Sequence, residues 1–120
     1  MDDAVRQSIE RDKLIDITTT GRRSGKMHRK EVNLRHLDGQ AYLSNSPGKR
    51  DWAANLFANP EFTYHLKQSI KRDLSATARV VRDGEEKRDL LERILAKEGA
   101  LDQLEARMVG SHLFFIELHE

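Results

Sequence analysis

The chain has 120 residues, 38% hydrophobic and 34% charged, with a formal net charge of +1 and no cysteine. That length fits one domain over residues 1–120 with one modest core. The composition excludes disulfides, thiolate catalysis and thiolate metal sites, and no apolar run approaches a bilayer span.

Residues 2–13 read as a short helix, with Val5 and Ile9 sharing a face. The β-branched run Leu14–Thr20 follows as a strand with Ile15, Ile17 and Thr19 on one side. A basic loop covers 21–29. Lys30–Leu37 is a second strand with Val32 and Leu34 inward. Asp38-Gly39 marks a hairpin, and Gln40–Asn45 returns as a third strand.

After the break at Ser46-Pro47-Gly48, Asp51 is placed to cap a short helix that stacks Trp52 on Leu56 and Ala53 on Phe57. Asn59-Pro60 ends it. Residues 61–67 alternate as a strand with Phe62, Tyr64 and Leu66 on one face, and 68–73 form a polar loop. A further strand over 74–82 puts Ala76, Ala78 and Val80 on one face. Asp83 and Glu86 form a capping-box-like start to a helix with a Leu90, Leu91, Ile94, Leu95 stripe. Gly99 breaks it, a weaker helix carries Leu101, Leu104 and Met108, and 112–118 closes the chain as a strand. The expected inward set is Ile15, Ile17, Val32, Leu34, Leu43, Phe62, Leu66, Val80, Phe114 and Ile116. Strands in hairpin order with late helices define an α+β fold built on an antiparallel β-barrel.

Charge is unevenly placed. Between Gly21 and Arg50 there are eight Lys or Arg against only Glu31 and Asp38, whereas 83–107 carries eight acids and five bases. A basic segment on a near-neutral chain points to a local anionic ligand. The loop Gly21-Arg22-Arg23-Ser24-Gly25-Lys26 lies between two strands. Its glycines bring backbone N–H groups close to a ligand, and Arg22, Arg23, Lys26 and Arg29 supply charge suited to phosphate. A solvated basic hairpin loop is the competing reading of the same residues. Trp52 reads first as the anchor of its short helix. His28, His36, His65, His112 and His119 lack metal-ligand spacing. His28 and His65 are candidate acids, with a surface or pocket-lining place the better reading for both. No nucleophile–base arrangement stands out, which favours chemistry carried by a cofactor. Nucleic-acid binding would need aromatics interleaved with the basic residues, and 21–30 has none.

Thr18–Lys26 followed by Arg29 resembles the TTxGRxSGxxR start of the deazaflavin-dependent nitroreductase and quinone-reductase family. Trp52–Pro60 is similar to that family's W-x-x-N-L-x-A-N-P signature. The likeness covers roughly residues 17–93. It implies an FMN-binding-type split β-barrel and an oxidoreductase that passes a hydride from reduced deazaflavin coenzyme F420 to a quinone, nitro compound or enone, FMN being the alternative cofactor. By the resemblance, Arg22, Arg23, Ser24, Gly25, Lys26 and Arg29 hold the phosphate-bearing tail. Ser44, Asn45, Ser46 and Gly48 lie along the ring system, and Trp52 and Asn55 brace them. The chain departs from the pattern in its short 44–52 segment, in Ala53, and in having Phe114 and Phe115 where the family carries C-terminal tyrosines. A cytoplasmic protein with a small-molecule cofactor, a hydrophobic acceptor and a homodimeric assembly is the expectation, with no nucleic-acid partner and no transmembrane segment. The alternative is a non-catalytic carrier or sensor of a flavin-like, haem-derived or lipid-like ligand on the same fold.

Overall fold

A computed structural model of the protein describes residues 2–45, 48 and 50–119. In chain order the elements are α1 (Asp3–Arg11), β1 (Leu14–Thr20), β2 (Met27–Leu37), β3 (Gln40–Ser44), α2 (Asp51–Ala58), β4 (Glu61–Leu66), β5 (Arg72–Val80), α3 (Glu85–Glu98), a 3-10 turn (Leu101–Gln103), α4 (Leu104–Gly110) and β6 (Leu113–Leu118). The strands close a barrel in the order β1-β2-β3-β6-β5-β4, and every neighbouring pair is antiparallel. Short turns join three of the six neighbouring pairs, β1-β2, β2-β3 and β4-β5. β6 is inserted from a distance between β3 and β5, and the pairing of β1 with β4 closes the wall.

Period-2 alternation sets the inside. Ile15, Ile17 and Thr19 of β1 point inward opposite Val32, Lys30 and His28 of β2. The barrel core joins Ile15, Ile17, Val32, Leu34, Leu43, Phe62, Tyr64, Leu66, Ala76, Ala78, Phe114 and Ile116, with Val5 from α1 and Ala53 and Leu56 from α2. Burying a Leu or Ile of this kind contributes roughly 1.5–3 kcal/mol. A second cluster lies outside the wall, where Leu91 and Ile94 of α3 cover Leu37, Tyr42 and Leu113. Tyr42 and Phe115 meet edge-on there at 5.9 Å. Lys87, itself buried, holds α3 to the end of α4: its ammonium donates to Asp83 Oδ1 at 2.9 Å and to the carbonyls of Met108 at 3.2 Å and Ser111 at 2.7 Å.

The structure departs from the sequence reading at several places. The basic loop is shorter than 21–29, because Met27, His28 and Arg29 extend β2 in register with β1. β5 begins at Arg72, inside the segment read as loop. Val80 is 41% exposed, while its neighbour Val81 is buried against α3 and donates its N–H to the Leu113 carbonyl. The chain bends where β5 ends, so alternation no longer predicts the face. Asp51 does not cap α2. Arg50 occupies the N-cap position with no side-chain hydrogen bond, and the Asp51 carboxylate accepts instead from Arg22. The capping box at Asp83 is also absent. Gly84, at φ 130°, is the N-cap residue of α3, and Asp83 is paired with Lys87.

Tyr64 offers a direct test of the barrel interior. Its ring is fully buried and its hydroxyl has no hydrogen-bond partner among the described residues. Burial pushes the phenol well above its usual range. An unsatisfied buried hydroxyl costs about 1–3 kcal/mol. Tyr64→Phe is therefore expected to raise stability by about 1 kcal/mol in urea unfolding. A loss of similar size would mean that the hydroxyl has a partner, such as an internal water.

Candidate cofactor site

The β1–β2 connection is a tight six-residue loop. Gly21 N–H donates to the Lys26 carbonyl at 2.7 Å, and Gly25 N–H returns to the Gly21 carbonyl at 3.0 Å. Ser24 Oγ accepts the Lys26 N–H at 3.1 Å. Gly25 has φ 72°, a left-handed conformation that glycine takes without strain. A Cβ on Gly21 would come within 2.8 Å of Ser24 Oγ and 3.0 Å of His28 Nε2. Only glycine fits there without displacing those groups.

The loop is anchored to α2 by Asn55. This residue is 3% exposed, and its Oδ1 accepts both the Arg22 backbone N–H at 3.1 Å and the Arg22 guanidinium at 2.9 Å. Its Nδ2 reaches back to Thr19 Oγ1 at 3.4 Å. Asn59 adds a bond from Nδ2 to the Thr20 carbonyl at 3.4 Å. The last turns of α2 are thus tied to the end of β1, and the Arg22 guanidinium is held between Asn55 and the Asp51 carboxylate.

A cleft of about 760 Å³ opens beside this loop. Arg22, Arg23, Arg29, Lys30 and Arg50 border it, and among the described residues Asp51 is the one carboxylate on its rim; Thr19, Gly21, Ser24, His28, Trp52 and Asn55 also line it. Such a lining suits an anion with an extended polar tail. A second cleft of about 540 Å³ adjoins it and shares Arg22, Arg50 and Asp51. Asn45, Gly48, Ala53, Ala54, Gly110 and His112 line its remainder. Rings run between the two: Trp52 packs on Phe114 at 6.5 Å, Phe114 on His112 at 6.0 Å, and His112 on Phe57 at 5.3 Å.

Of the residues expected from sequence, Arg22, Arg23, Ser24, Arg29, Trp52 and Asn55 come together at the larger cleft. Asn45 and Gly48 lie at the smaller one. Asn45 also ties the site to α4. Its Oδ1 accepts the His112 N–H at 2.7 Å, and its carbonyl accepts from buried Arg107 at 3.1 Å. Gly25 and Lys26 belong to the loop but not to the cleft wall. Ser44 is buried at the end of β3, its hydroxyl without a partner among the described residues. Ser46 lies outside the described residues. Sequence reading missed Thr19, Lys30, Arg50 and His112, whereas His28, read as surface or pocket-lining, lines the larger cleft. His28 and Lys30 are in phase with Val32 and Leu34. Alternation extended back through Met27 would have placed them on the face that becomes the cleft wall.

Arg29 is less available than its position suggests. On the outer face of the barrel its Nε donates to Asp16 Oδ2 at 2.9 Å. Lys67 reaches Asp16 Oδ1 at 2.6 Å and also bridges to Glu31. The Lys67 hydrogen bond, with help from Arg29, holds the Asp16 carboxyl below its ordinary range despite some burial. Nearby, buried His65 bonds Asp73 Oδ1 at 2.7 Å and Thr18 Oγ1 at 2.6 Å, and lowers the Asp73 carboxyl. His65 therefore belongs to the outer wall and not to either cleft. Because both carboxyls titrate lower when folded, their contribution is present above about pH 4 and is lost as pH falls through the folded values. Acid unfolding monitored by circular dichroism should begin at higher pH in wild type than in an Asp16→Asn/Asp73→Asn double variant, once each curve is normalised to its own stability at pH 7. Superimposable normalised curves would remove these pairs from the acid response. Among the described residues no His, Asp or Glu cluster could hold a metal ion.

The fold and site define a closed antiparallel barrel that presents a basic glycine loop beside a cation-lined cleft. Residues 3–108 match the family described as F420H(2)-dependent quinone reductase, and the chain belongs to that family. It is accordingly an oxidoreductase that uses the deazaflavin coenzyme F420. The basic loop and paired clefts fit that anionic coenzyme. No curated protein matches the chain. Among solved structures it is similar to a conserved hypothetical protein, Rv2991, from Mycobacterium tuberculosis, at 16% identity over 100% of this chain and 82% of that one, with a TM-score of 0.71. An F420-H2 dependent reductase, FDR-A, shares 21% identity over 88% and 94% of the two chains, with a TM-score of 0.63. The heme storage protein HutZ from Vibrio cholerae aligns at 18% identity over 97% and 88%, with a TM-score of 0.66. At these identities the likeness is one of fold. No helix among the described residues is long and apolar enough to cross a membrane.

Proposed function

We propose that the protein is a cytoplasmic, homodimeric reductase that binds reduced coenzyme F420 along the larger cleft and passes its hydride to a quinone, with nitro compounds and enones as further acceptors. The observation that carries this reading is the cleft wall itself, where the described residues set five cations against one carboxylate beside a tight glycine loop. Arg22, Arg23 and Ser24 grip the phosphate, and Lys30 and Arg50 extend the positive wall. Arg29 and Lys26 contribute charge from its margins, and Gly25 lets the loop turn. Ser44, Asn45, Ser46 and Gly48 lie along the ring system, Trp52 walls it, and Asn55 holds Arg22 in place. When bound, the coenzyme supplies the hydride. The chain orients it, screens it from water and neutralises its tail.

The test is a fluorescence titration with coenzyme F420 and, separately, FMN, followed by oxidation of the bound reduced form by a soluble naphthoquinone, a nitroarene and a cyclic enone. Tight binding of F420 with turnover of the naphthoquinone is expected. Sedimentation velocity checks the dimer. If neither cofactor binds, the carrier reading takes the place of this one.

A further inference from the structure

We propose that His112 is the proton donor for a quinone acceptor seated in the smaller cleft, between α2 and the end of α4. This inference rests on the reductase reading and adds the acceptor's seat and the acid that completes its reduction. A quinone that gains a hydride becomes a hydroquinone monoanion. A proton must then reach its oxygen to give the neutral hydroquinone, and the two electrons come entirely from the hydride.

The smaller cleft fits this role in size and lining. About 540 Å³ accommodates a bicyclic ring. Ala53, Ala54 and Gly110 give it small, weakly polar walls against which a planar molecule can lie, while Asn45 and Gly48, along which the coenzyme ring is proposed to lie, bring that ring to its side. Its junction with the larger cleft at Arg22, Arg50 and Asp51 places an acceptor beside the coenzyme site.

His112 is chosen by elimination. Arg22 and Arg50 do not release protons at physiological pH, and Asp51 is an exposed carboxylate paired with Arg22. Among the described lining residues, the His112 imidazole is the side chain whose chemistry suits general-acid transfer to a phenolate oxygen. The histidine is also well positioned. Its ring lies between Phe57 at 5.3 Å and Phe114 at 6.0 Å, and its backbone N–H is held by Asn45 Oδ1 at 2.7 Å. Neither ring nitrogen has a hydrogen-bond partner among the described residues, which leaves an N–H for the ligand. Among the described residues, the charged groups facing the ring are Asp83, ahead of α3, which interacts with it, and Arg22, Arg50 and Asp51, which share the cleft lining. The residue is exposed to solvent, so the imidazole regains its proton from water after each turnover.

The experiment compares wild type with His112→Gln and His112→Phe, the latter preserving an aromatic ring between Phe57 and Phe114. Single-turnover oxidation of bound reduced coenzyme F420 by menadione is followed from pH 5 to 9, alongside coenzyme titrations. Both variants are expected to bind the coenzyme as wild type does and to react about 10²–10⁴-fold more slowly. Their rates should be flat across the range in which the wild-type rate falls with rising pH, and added imidazole should restore part of the loss. Wild-type rates and pH dependence in His112→Phe would overturn the proposal. A readout without turnover follows the His112 ring resonances by NMR as menadione is added to the protein alone and to the coenzyme-loaded protein. They should shift in both, and unmoved resonances at saturating menadione overturn the acceptor seat. If the resonances shift while wild type binds no coenzyme, the seat stands and the reductase reading is what fails.

Discussion

An Arg23→Ala/Arg50→Ala double variant is expected to lose about 10²–10⁴-fold in affinity for coenzyme F420 while retaining its fold. Both guanidinium groups border the larger cleft, and neither is spent on a described carboxylate. A charge-assisted hydrogen bond is worth about 1.5–3 kcal/mol when its donor is removed, and the two together give that range. Added salt should weaken wild-type binding, because part of the attraction acts through solvent, and should weaken the variant less. Lys26→Ala is the internal control. Lys26 sits in the same loop but off the cleft wall, and a small decrease is expected. Titration of the three proteins at two ionic strengths, with thermal melts beside them, reads all of this. Equal losses in Lys26→Ala and the double variant would mean that loop charge acts as a diffuse field and not through the cleft.

That contrast could not be drawn from sequence. The TTxGR loop and the W-x-x-N-L signature pointed to residues that border the larger cleft, because both are contiguous and their residue types carry their chemistry openly. Alternation gave the barrel interior at Ile15, Ile17, Val32, Leu34 and Phe114, since a half-buried strand enforces period 2. It failed at Val80, where the chain leaves the sheet and the face changes. Arg50 and His112 escaped notice for a different reason. They lie 62 residues apart and meet only because β6 inserts between β3 and β5, a pairing that no local pattern encodes. Asp51 shows the competing principle at work. Its spacing suits an N-cap, yet its carboxylate pairs with Arg22, whose guanidinium the fold brings alongside.

Asn55 carries the other large expected effect, because loop and helix are joined through this one amide. It is almost wholly buried, and its side chain satisfies two donors of Arg22 and reaches Thr19. Asn55→Leu keeps the same branched count of side-chain heavy atoms, is bulkier and raises helix propensity, so its loss combines the polar bracket with some overpacking. The Arg22 N–H would face a hydrocarbon in a partly buried position, and leaving such a group unmatched costs about 1–3 kcal/mol. The loop would also lose the tie that fixes its angle to α2. A stability loss of about 2–3 kcal/mol in urea is expected. Coenzyme affinity should fall at least tenfold below what unfolding accounts for, because the Arg22 guanidinium would be aimed by Asp51 alone. Asn55→Asp separates the two effects. Its carboxylate can still accept both Arg22 donors but cannot donate to Thr19, so it should keep loop order while adding negative charge beside the anion. It should therefore bind the coenzyme more weakly than wild type at a smaller cost in stability than Asn55→Leu. If Asn55→Leu unfolds as wild type does and binds equally well, the loop is held by its own Gly21–Lys26 and Gly25–Gly21 hydrogen bonds, and the bracket to α2 is incidental.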